Sequence, residues 1–349
     1  MGGGMAGKMT LERAGPGISI QDQGRNGVLA QGLSRGGAAD LLALAEGAAL
    51  LGQDTGLAAL EIAGSFLRAT LDAPARIALT GAPMRAVCDG AALAWNASHA
   101  VAAGATLDLS GSAGGYSYLH MGGGIVAPKV LGARSAHLAA GIGAMLVAGD
   151  ALEFGPDAGG RVGLCLPALP RFDGGTLRMV ETPQTALFPP TQRARFTETV
   201  FRKDARANRM GQRLVCDGAG FGAETGLSIL SEIIVLGDIQ ITGDGAPFVL
   251  LCECQTTGGY PRIGTVLPCD IARLVQAPAG AALRFSFVSL EDAVRLERQE
   301  AARRAGLRRT LRPLVRDVHA IADLLAYQLI SGVTCGDELE SGGGHDHTD

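Results

Sequence analysis

The segment ECQTTGGYP (253–261) combines neutral polar side chains with two adjacent glycines, in a region where the surrounding sequence predicts strands. Its amide and hydroxyl groups offer uncharged hydrogen-bond donors and acceptors, and its glycines let a ligand approach the backbone closely. Its tyrosine adds a flat apolar wall. Such a set suits an amide-like, uncharged ring such as a lactam or a ureido group. The predicted substrate-binding residues of this region are Gln240, Gln255, Thr256, Thr257, Gly258, Gly259 and Tyr260.

Polar and charged residues that precede this segment predict the remaining chemistry of the site. Arg209 and Arg213 could hold a carboxylate or a carbonyl oxyanion, with Asn208 orienting it. Glu232 is the candidate general base, and Ser231 is predicted to complete the site. We therefore predict that Arg209 and Glu232 are catalytic and that the other three bind substrate. The alternative is that these residues only tie a tight barrel turn.

A short motif near the N-terminus, GLSRG (32–36), fits the G-x-S-x-G pattern of a serine nucleophile elbow. An elbow needs a buried strand before the serine, and the preceding text, QGRNGVLAQ, contains only three apolar residues. Three histidines are candidate partners for Ser34, and none is distinctive: His99, His120 and His137. We interpret this motif as coincidental.

Other sequence patterns give no prediction of a metal or nucleotide site. Cys252 and Cys254 would share one face of a strand, but the C-x-x-C knuckles typical of structural zinc are missing, so we predict no metal. The chain has no G-x-x-x-x-G-K-[ST] loop, so it does not bind ATP through that motif. The sequence around Lys8 lacks the small hairpin domain of a biotin carrier.

The composition bounds the class of protein. The chain has 349 residues with 30 basic and 34 acidic side chains, and this balance argues against nucleic-acid binding. No run of 18 apolar residues predicts a membrane span. Seven irregularly spaced cysteines favour reduced thiols and a cytoplasmic location.

Short apolar runs separated by turn residues every eight to twelve positions, from about 58 to 155, predict a β-barrel or sandwich. A helix is predicted from about Ala38 to Leu51, and a second β-rich block ends near residue 290. The predicted organisation is a flexible leader (1–10), an N-terminal β-barrel domain (11–160), a C-terminal barrel domain (175–290), a helical segment (291–331) and a disordered tail (332–349).

Three segments resemble the KipA-like family: SIQDQGRNG (19–27), ANRMGQRL (207–214) and the long run from SEIIVLG to RIGTV (231–266). This family is also called biotin-dependent carboxyltransferase, allophanate hydrolase subunit 2 or the C subunit of 5-oxoprolinase. The resemblance runs from about residue 11 to 331. It implies a mainly β fold of two tandem cyclophilin-like β-barrel domains with a few helices. The first segment adds an N-terminal loop to the candidate site residues: Gln21, Asp22, Gly24 and Arg25.

The resemblance also implies an activity shared with other chains. It predicts a subunit of an ATP-dependent 5-oxoprolinase that opens pyroglutamate to glutamate together with a KipI-like subunit and a LamB/YcsF-like subunit, and that is inactive alone. One alternative is a carboxyltransferase subunit of the urea carboxylase type, which would use biotin on another chain. A second alternative is a non-enzymatic regulator that binds a KipI-like protein.

Overall fold

The computed structural model describes residues 6–111, 115–223, 226 and 228–315. The first five residues of the predicted leader, the predicted helical segment beyond residue 315 and the predicted tail lie outside these described residues. The predicted domain boundaries at 160, 175 and 290 stay predictions.

Four α-helices and four short 3-10 helices occur in the described chain. The α-helices are α1 (Leu41–Leu51), α2 (Pro190–Glu198), α3 (Pro268–Gln276) and α4 (Leu290–Ala305). The 3-10 helices are Leu29–Gln31, Leu138–Ala140, Thr185–Leu187 and Leu307–Thr310.

The N-terminal half packs its core between two antiparallel sheets. Its strands are β1 (Gly7–Ala14), β2 (Ile18–Gln21), β3 (Ala59–Ala63), β4 (Leu67–Leu71), β5 (Ala75–Gly81), β6 (Arg85–Cys88), β7 (Ala91–Leu93), β8 (Ala97–Val101), β9 (Thr106–Ser110), β10 (Tyr116–Met121), β11 (Ala151–Phe154) and β12 (Leu164–Cys165). One sheet has the order β11-β1-β4-β9-β6-β7, and the other contains β2-β3-β10-β5-β8-β12. Alternation explains the packing: along β4, Leu67, Ala69 and Leu71 are buried and point to one face.

The predicted leader is wrong for residues 7–10, because β1 already begins at Gly7. Met9 and Leu11 alternate with polar residues and are completely buried in the N-terminal core. Met9 pairs with Leu71 of β4, and β11 pairs on the other side of β1. Two apolar side chains at a spacing of two are therefore enough to fix this strand in a sheet.

The C-terminal half is a closed seven-stranded barrel, which confirms the prediction of a mainly β chain. Its order is β13-β20-β17-β18-β15-β14-β21. The strands of this half are β13 (Gly175–Val180), β14 (Phe201–Ala207), β15 (Gly211–Val215), β16 (Glu232–Ile233), β17 (Asp238–Ile241), β18 (Pro247–Leu250), β19 (Thr257–Gly258), β20 (Arg262–Val266), β21 (Ala282–Phe287) and β22 (Arg312–Pro313). Four phenylalanines pack inside the barrel with ring centroids 4.8–5.7 Å apart: Phe196, Phe201, Phe221 and Phe285.

Helix α1 joins the cores of the two halves. Asp40 caps it by accepting the backbone N–H groups of Leu42 and Ala43, so the helix begins three residues after the predicted start. The Asp40 carboxylate also accepts from Arg171 Nε (2.9 Å) and from Gln276 Nε2 (2.8 Å). Because all these groups are buried, α1 is held to segments that follow it by more than 100 residues.

His120 packs against a glycine of α1 and is buried as a neutral ring. Its Nε2 lies 2.9 Å from Thr80 Oγ1, and that hydroxyl donates to the Ala43 carbonyl oxygen, so His120 Nε2 carries the proton. A Cβ on Gly47 would lie 2.2 Å from this ring, which explains a glycine inside a helix. Burial lowers the pKa of His120 from its ordinary value of 6.5 to about 3.

This histidine predicts a loss of stability in mild acid. Between its folded and unfolded pKa values the unfolded chain binds more protons, so stability falls as the pH drops below 6.5, by up to about 1.4 kcal/mol per pH unit. His120→Gln keeps an N–H for Thr80 but does not titrate. Urea unfolding at pH 6.5, 6.0, 5.5 and 5.0 should give a steeper fall for the native chain than for the variant. Parallel curves would contradict this prediction.

Candidate functional site

A cavity of about 200 Å³ lies between the two halves of the molecule, and parts of the N-terminal loop, the GLSRG segment and the 231–266 run meet there. One wall comes from the N-terminal loop at 25–29 and from the GLSRG segment, and the other comes from residues 234–236 and 251–254 of the C-terminal half. The loop is joined to the barrel directly, because Gly36 N donates to the Cys252 carbonyl oxygen (2.8 Å). We call this cavity the Ser34 pocket. Its lining residues are Arg25, Asn26, Gly27, Val28, Leu29, Ser34, Arg35, Ile234, Val235, Leu236, Leu251, Cys252 and Cys254.

Ser34 is hydrogen-bonded to His137, with 2.9 Å between Oγ and Nε2. The local geometry is not a nucleophile elbow, because Ser34 follows the 3-10 helix Leu29–Gln31 rather than a strand. The hydrogen bonds of His137 nevertheless fix its tautomer, because His137 Nδ1 accepts the backbone N–H of Ala140 (3.2 Å). The ring proton therefore sits on Nε2 and is donated to Ser34 Oγ. The hydroxyl proton of Ser34 remains available for an acceptor in the pocket.

The charge of this region is fixed by a buried carboxylate and a buried guanidinium. Glu253 Oε2 accepts the backbone N–H of Ala139 (3.0 Å) and lies 3.9 Å from His137 Nδ1, while its Oε1 accepts from Arg209 Nε (2.5 Å). Burial lowers the pKa of His137, and the Glu253 carboxylate only partly opposes this. Ser34 and His137 are therefore a neutral donor–acceptor pair near neutral pH.

The comparisons with known proteins show the family of the chain. The family model described as carboxyltransferase domain, subdomain A and B, matches residues 31–287, which contain most of the Ser34 pocket. The chain belongs to this carboxyltransferase family. The resemblance drawn from the sequence is thereby confirmed. No helix within the described part of this family member has the length and apolar character needed to cross a membrane.

Relatives of this carboxyltransferase-family chain carry two kinds of name. It is 33% identical over 298 residues to the C subunit of 5-oxoprolinase from Escherichia coli, covering 84% of this chain and 95% of that protein. It is 27% identical over 306 residues to a putative urea carboxylase of Emericella nidulans, covering 81% of this chain and 24% of that protein. Among solved structures, TTHA0988 gives a TM-score of 0.74 at 29% identity, covering 80% of this chain. This chain spans 55% of that solved chain.

Arg209, predicted as catalytic, is committed to protein partners. Each of its three guanidinium nitrogens donates: Nε to Glu253, Nη1 to Glu61 and Nη2 to the Gly37 carbonyl oxygen. Glu61 belongs to β3 and Gly37 to the N-terminal loop, so Arg209 links the barrel to the N-terminal half. The structure therefore places Arg209 as a positioning residue for Glu253, and Arg209 is not part of the lining of the Ser34 pocket.

The other two predicted residues of the ANRMGQRL segment, Asn208 and Arg213, also bind protein groups outside the Ser34 pocket. Asn208 closes a turn: its Oδ1 accepts the backbone N–H groups of Met210 (2.8 Å) and Gly211 (3.1 Å). No hydrogen bond joins it to Arg209 in the described structure. Arg213 lies on β15 and forms ion pairs with Asp204, which is largely buried, and with Asp244, which is exposed. The structure does not bring Arg213 to the Ser34 pocket.

The QTTGGYP segment forms a small two-stranded arm with the SEII segment, and these two segments were predicted to share one site. In this arm Glu232 pairs with Gly258 and Ile233 pairs with Thr257. Gly259 accepts the backbone N–H of Ile229, and it lies close to Ser231. The predicted neutral donors on this arm face solvent, since three of its polar residues are exposed: Gln255, Thr257 and Tyr260.

Of the predicted set, Gln240 lies under this arm and Thr256 lies within it. Gln240 is buried, and its Nε2 finds no hydrogen-bond partner among the described residues. A Cβ on Gly258 would come within 2.5 Å of that nitrogen, so the glycine makes room for the amide. Thr256 accepts the backbone N–H of Ile234 through its carbonyl oxygen (3.1 Å). The Thr256 bond therefore joins the two segments of the arm, and Gly258 packs over Gln240 of the barrel strand β17.

Glu232, predicted as the general base, is held by the barrel and half exposed. Its Oε2 accepts from Gln184 Nε2 (2.7 Å) and from Arg262 Nη2 (2.9 Å). Arg262 also binds Asp238 and the Ile233 carbonyl oxygen, so this cluster anchors the arm. The sequence does not single out Gln184, Arg262 or Asp238. Gln184 and Arg262 lie far along the chain from Glu232, and Asp238 joins the cluster only through its ion pair with Arg262.

This placement predicts a small effect of Glu232→Gln. The side chain of Glu232 is 53% exposed, so losing its charge should change the free energy of unfolding by less than about 1 kcal/mol. Turnover of the complete enzyme should stay unchanged, since this carboxylate does not line the Ser34 pocket. Urea unfolding and a turnover assay test both parts. A sharp loss of turnover with unchanged stability would instead support the general-base role predicted from the sequence.

The N-terminal loop QDQGRNG reaches the pocket through its arginine. Arg25 is buried, and its three nitrogens donate to the Val130 carbonyl oxygen, to Ser135 Oγ and to the Ser135 carbonyl oxygen. Burial lowers the pKa of this guanidinium. Its contacts fix the loop against the segment that carries His137.

The remaining loop residues have structural partners of their own. Asp22 accepts the backbone N–H groups of Gly24 and Arg134, and Gln21 Nε2 donates to Ser19 Oγ (2.9 Å). Gly24 has φ +82°, and a Cβ there would lie 2.6 Å from the Arg35 carbonyl oxygen. The loop therefore shapes the GLSRG segment, and the buried Gln21 Oε1 has no hydrogen-bond partner among the described residues.

Three residues of the site receive no role from the sequence. The pattern around Ser34 reads as coincidental, His137 is one of three equivalent histidines, and Glu253 stands in a polar segment without a distinguishing feature. The available signal is the G-x-S-x-G match, but its usual context of strand, turn and helix is absent. Only the fold brings Ser34 within reach of a histidine 103 residues away.

Proposed function

We propose that this chain is a subunit of an ATP-dependent 5-oxoprolinase that opens pyroglutamate to glutamate. The name of the Escherichia coli relative supports this function, since that protein is matched over 95% of its length. In the proposal, the enzyme also contains a KipI-like subunit and a LamB/YcsF-like subunit, and ATP enters through a partner. The chain is inactive alone. We place the complex in the cytoplasm, where ATP is available.

The observation that carries this proposal is the Ser34 hydroxyl in the wall of the pocket. It accepts the Nε2–H of His137 and can donate its own proton. The cavity of about 200 Å³ is lined mainly by apolar side chains, which suits a small neutral ring. A lactam carbonyl oxygen is a matching acceptor. A hydroxyl donor aimed at this oxygen stabilises the negative charge that develops on it when the carbonyl carbon is attacked.

The overall reaction gives this donor a defined task. Ring opening breaks the lactam C–N bond, bonds the oxygen of water to the carbonyl carbon and leaves the nitrogen as an amine. ATP hydrolysis to ADP and phosphate drives the reaction. The residues of this chain bind the ring and polarise its carbonyl group: Ser34 donates, His137 orients Ser34, and Glu253 with Arg209 holds the loop that carries His137.

A second candidate function is carboxyl transfer with biotin on another chain. The description of the family model and the putative urea carboxylase relative favour it. The same pocket would then hold a ureido carbonyl group instead of a lactam. The chemistry of the lining does not separate these two amide-like groups, so a direct assay must.

Glutamate release from pyroglutamate tests the proposal. The chain is co-purified with its KipI-like and LamB/YcsF-like partners, and each component and ATP are omitted in turn. We expect release in the complete mixture and none when this chain is left out. If the folded, complete mixture releases no glutamate but carboxylates urea with a biotinylated partner, the second candidate replaces the first. Tight binding to the KipI-like chain with neither activity would favour the regulator.

A further inference from the structure

Arg35 is partly buried at the junction of the two halves and has no carboxylate partner there. Its Nη1 donates to the Gln23 carbonyl oxygen (2.6 Å), and the described structure contains no ion pair between Arg35 and any acidic side chain. The one carboxylate whose charge acts on the pKa of Arg35 is Asp22, and its two oxygens already accept the backbone N–H groups of Gly24 and Arg134. An unpaired guanidinium that has lost much of its water is costly unless an anion reaches it.

The position of Arg35 gives such an anion access. Arg35 and Leu236 line the Ser34 pocket and also line a neighbouring cavity of about 300 Å³ between α1, α3 and α4. Arg35 therefore stands where the two cavities meet. Because Ser34 and Arg35 line the same pocket, a ligand seated beside Ser34 also meets the side chain of Arg35.

The second cavity adds positive charge. Arg304 of α4 lines it together with Arg35, and the one carboxylate in its lining is Glu300. Glu300 already accepts two hydrogen bonds from Arg303 (2.6 and 2.7 Å) and lies 3.3 Å from Arg304 Nε. The lining therefore contains two guanidinium groups, Arg35 and Arg304, and one carboxylate, which Arg303 also engages, so this region keeps a net positive charge. The remaining lining is largely apolar, including Leu42.

We propose that Arg35 binds the carboxylate of the substrate while the ring of the same molecule lies against Ser34. This inference rests on the function proposed above, because pyroglutamate carries a lactam and a carboxylate on one small ring. The positive charge of Arg304, in the second cavity, also attracts this carboxylate. The guanidinium fork of Arg35 matches the geometry of a carboxylate.

The electrostatics of Arg35 agree with an anion at this place. Burial lowers the pKa of Arg35, and the positive charge of Arg209 adds to this effect. A bound carboxylate would favour the charged guanidinium and so offset both contributions. Binding an anion therefore relieves an electrostatic cost that exists before the substrate arrives.

The site also separates acidic from neutral lactams. The Ser34 hydroxyl binds either kind equally, because both carry the same carbonyl oxygen. Arg35 distinguishes them, since a neutral lactam leaves the guanidinium unpaired. Selectivity for the acidic ring is therefore assigned to Arg35, and polarisation of the carbonyl group is assigned to Ser34.

Isothermal titration of the full chain tests this division, without partners or ATP. L-Pyroglutamate is compared with 2-pyrrolidinone, which lacks the carboxylate. Three variants are titrated: Arg35→Gln, Arg304→Gln and, as a control on an exposed face of α4, Arg298→Gln. We expect Arg35→Gln to weaken pyroglutamate binding about 10- to 100-fold, the usual effect of losing a hydrogen bond to a charged group. Arg304→Gln should have a smaller effect, and Arg298→Gln should have none.

Each outcome decides the inference. Equal affinity of the native chain for both ligands, no detectable pyroglutamate binding, or native-like binding by Arg35→Gln would overturn it. Far-ultraviolet circular dichroism confirms that each variant is folded. The proposed function is judged separately, by turnover in the complete mixture. Turnover with an unchanged KM in Arg35→Gln would contradict the proposed carboxylate site but would still support the proposed function. Binding of pyroglutamate that depends on Arg35, without turnover in the complete mixture, would support the carboxylate site and contradict the proposed function.

Discussion

Replacing Arg209 with methionine should lower the free energy of unfolding by about 3–5 kcal/mol, because it leaves two buried carboxylates without their cation. Glu61 and Glu253 are 1% and 2% exposed, and both depend on this guanidinium. The Gly37 carbonyl oxygen would lose its donor as well. Since these partners lie in both halves of the molecule, the loss acts on the junction that shapes the Ser34 pocket. Equilibrium unfolding in urea measures the effect.

Arg213→Met is the matched control for this experiment. Arg213 follows Arg209 by four residues and was predicted to share its role, but its side chain is 27% exposed against 11% for Arg209, and its partner Asp244 is 56% exposed. We expect a change in stability within about 1 kcal/mol. If Arg209→Met unfolds like the native chain and yet loses turnover, the guanidinium acts on substrate, as the sequence suggests, and the positioning role is wrong.

Elements of secondary structure could be predicted from the sequence where their signals are local. Helix α1 can be predicted because its N-cap Asp40 and its C-terminal Gly52 are local signals. Strand β1 shows an alternating pattern that is just as local, but three glycines at the start of the chain indicate a leader and hide it. Local patterns therefore give elements, and errors arise at chain ends where few neighbours define them.

The candidate site behaves differently because its contacts are not local. The strand pair of Glu232 and Gly258 brings together two motifs that the sequence analysis assigned to one site, although β17 and β18 lie between them in the chain. Ser34, His137 and Glu253 come from three distant segments, and no spacing rule connects them. Whether an arginine is free or paired depends on the same long-range packing. The residue types are visible in the sequence, but the fold decides which of them face a cavity.

Ser34→Ala should reduce turnover of the complete pyroglutamate-opening mixture about 10²- to 10³-fold, the usual effect of removing one donor from a developing oxyanion. The variant also leaves the Nε2–H of His137 without its acceptor in a buried position, at a cost of about 1–3 kcal/mol in stability. Turnover must therefore be measured well below the unfolding midpoint of the variant. Steady-state kinetics with all partners present should show the loss mainly in kcat.

Ser231→Ala separates this site from the one predicted on the arm. Both changes remove one hydroxyl, but Ser231 is exposed and does not line the Ser34 pocket. We expect Ser231→Ala to keep native turnover. The reverse pattern, an active Ser34→Ala and an inactive Ser231→Ala, would place the site on the QTTGGYP arm. The Ser34 pocket would then have only a structural role. Because the two serines lie on different segments and differ in burial, a loss in both variants would mean that the substrate spans the pocket and the arm.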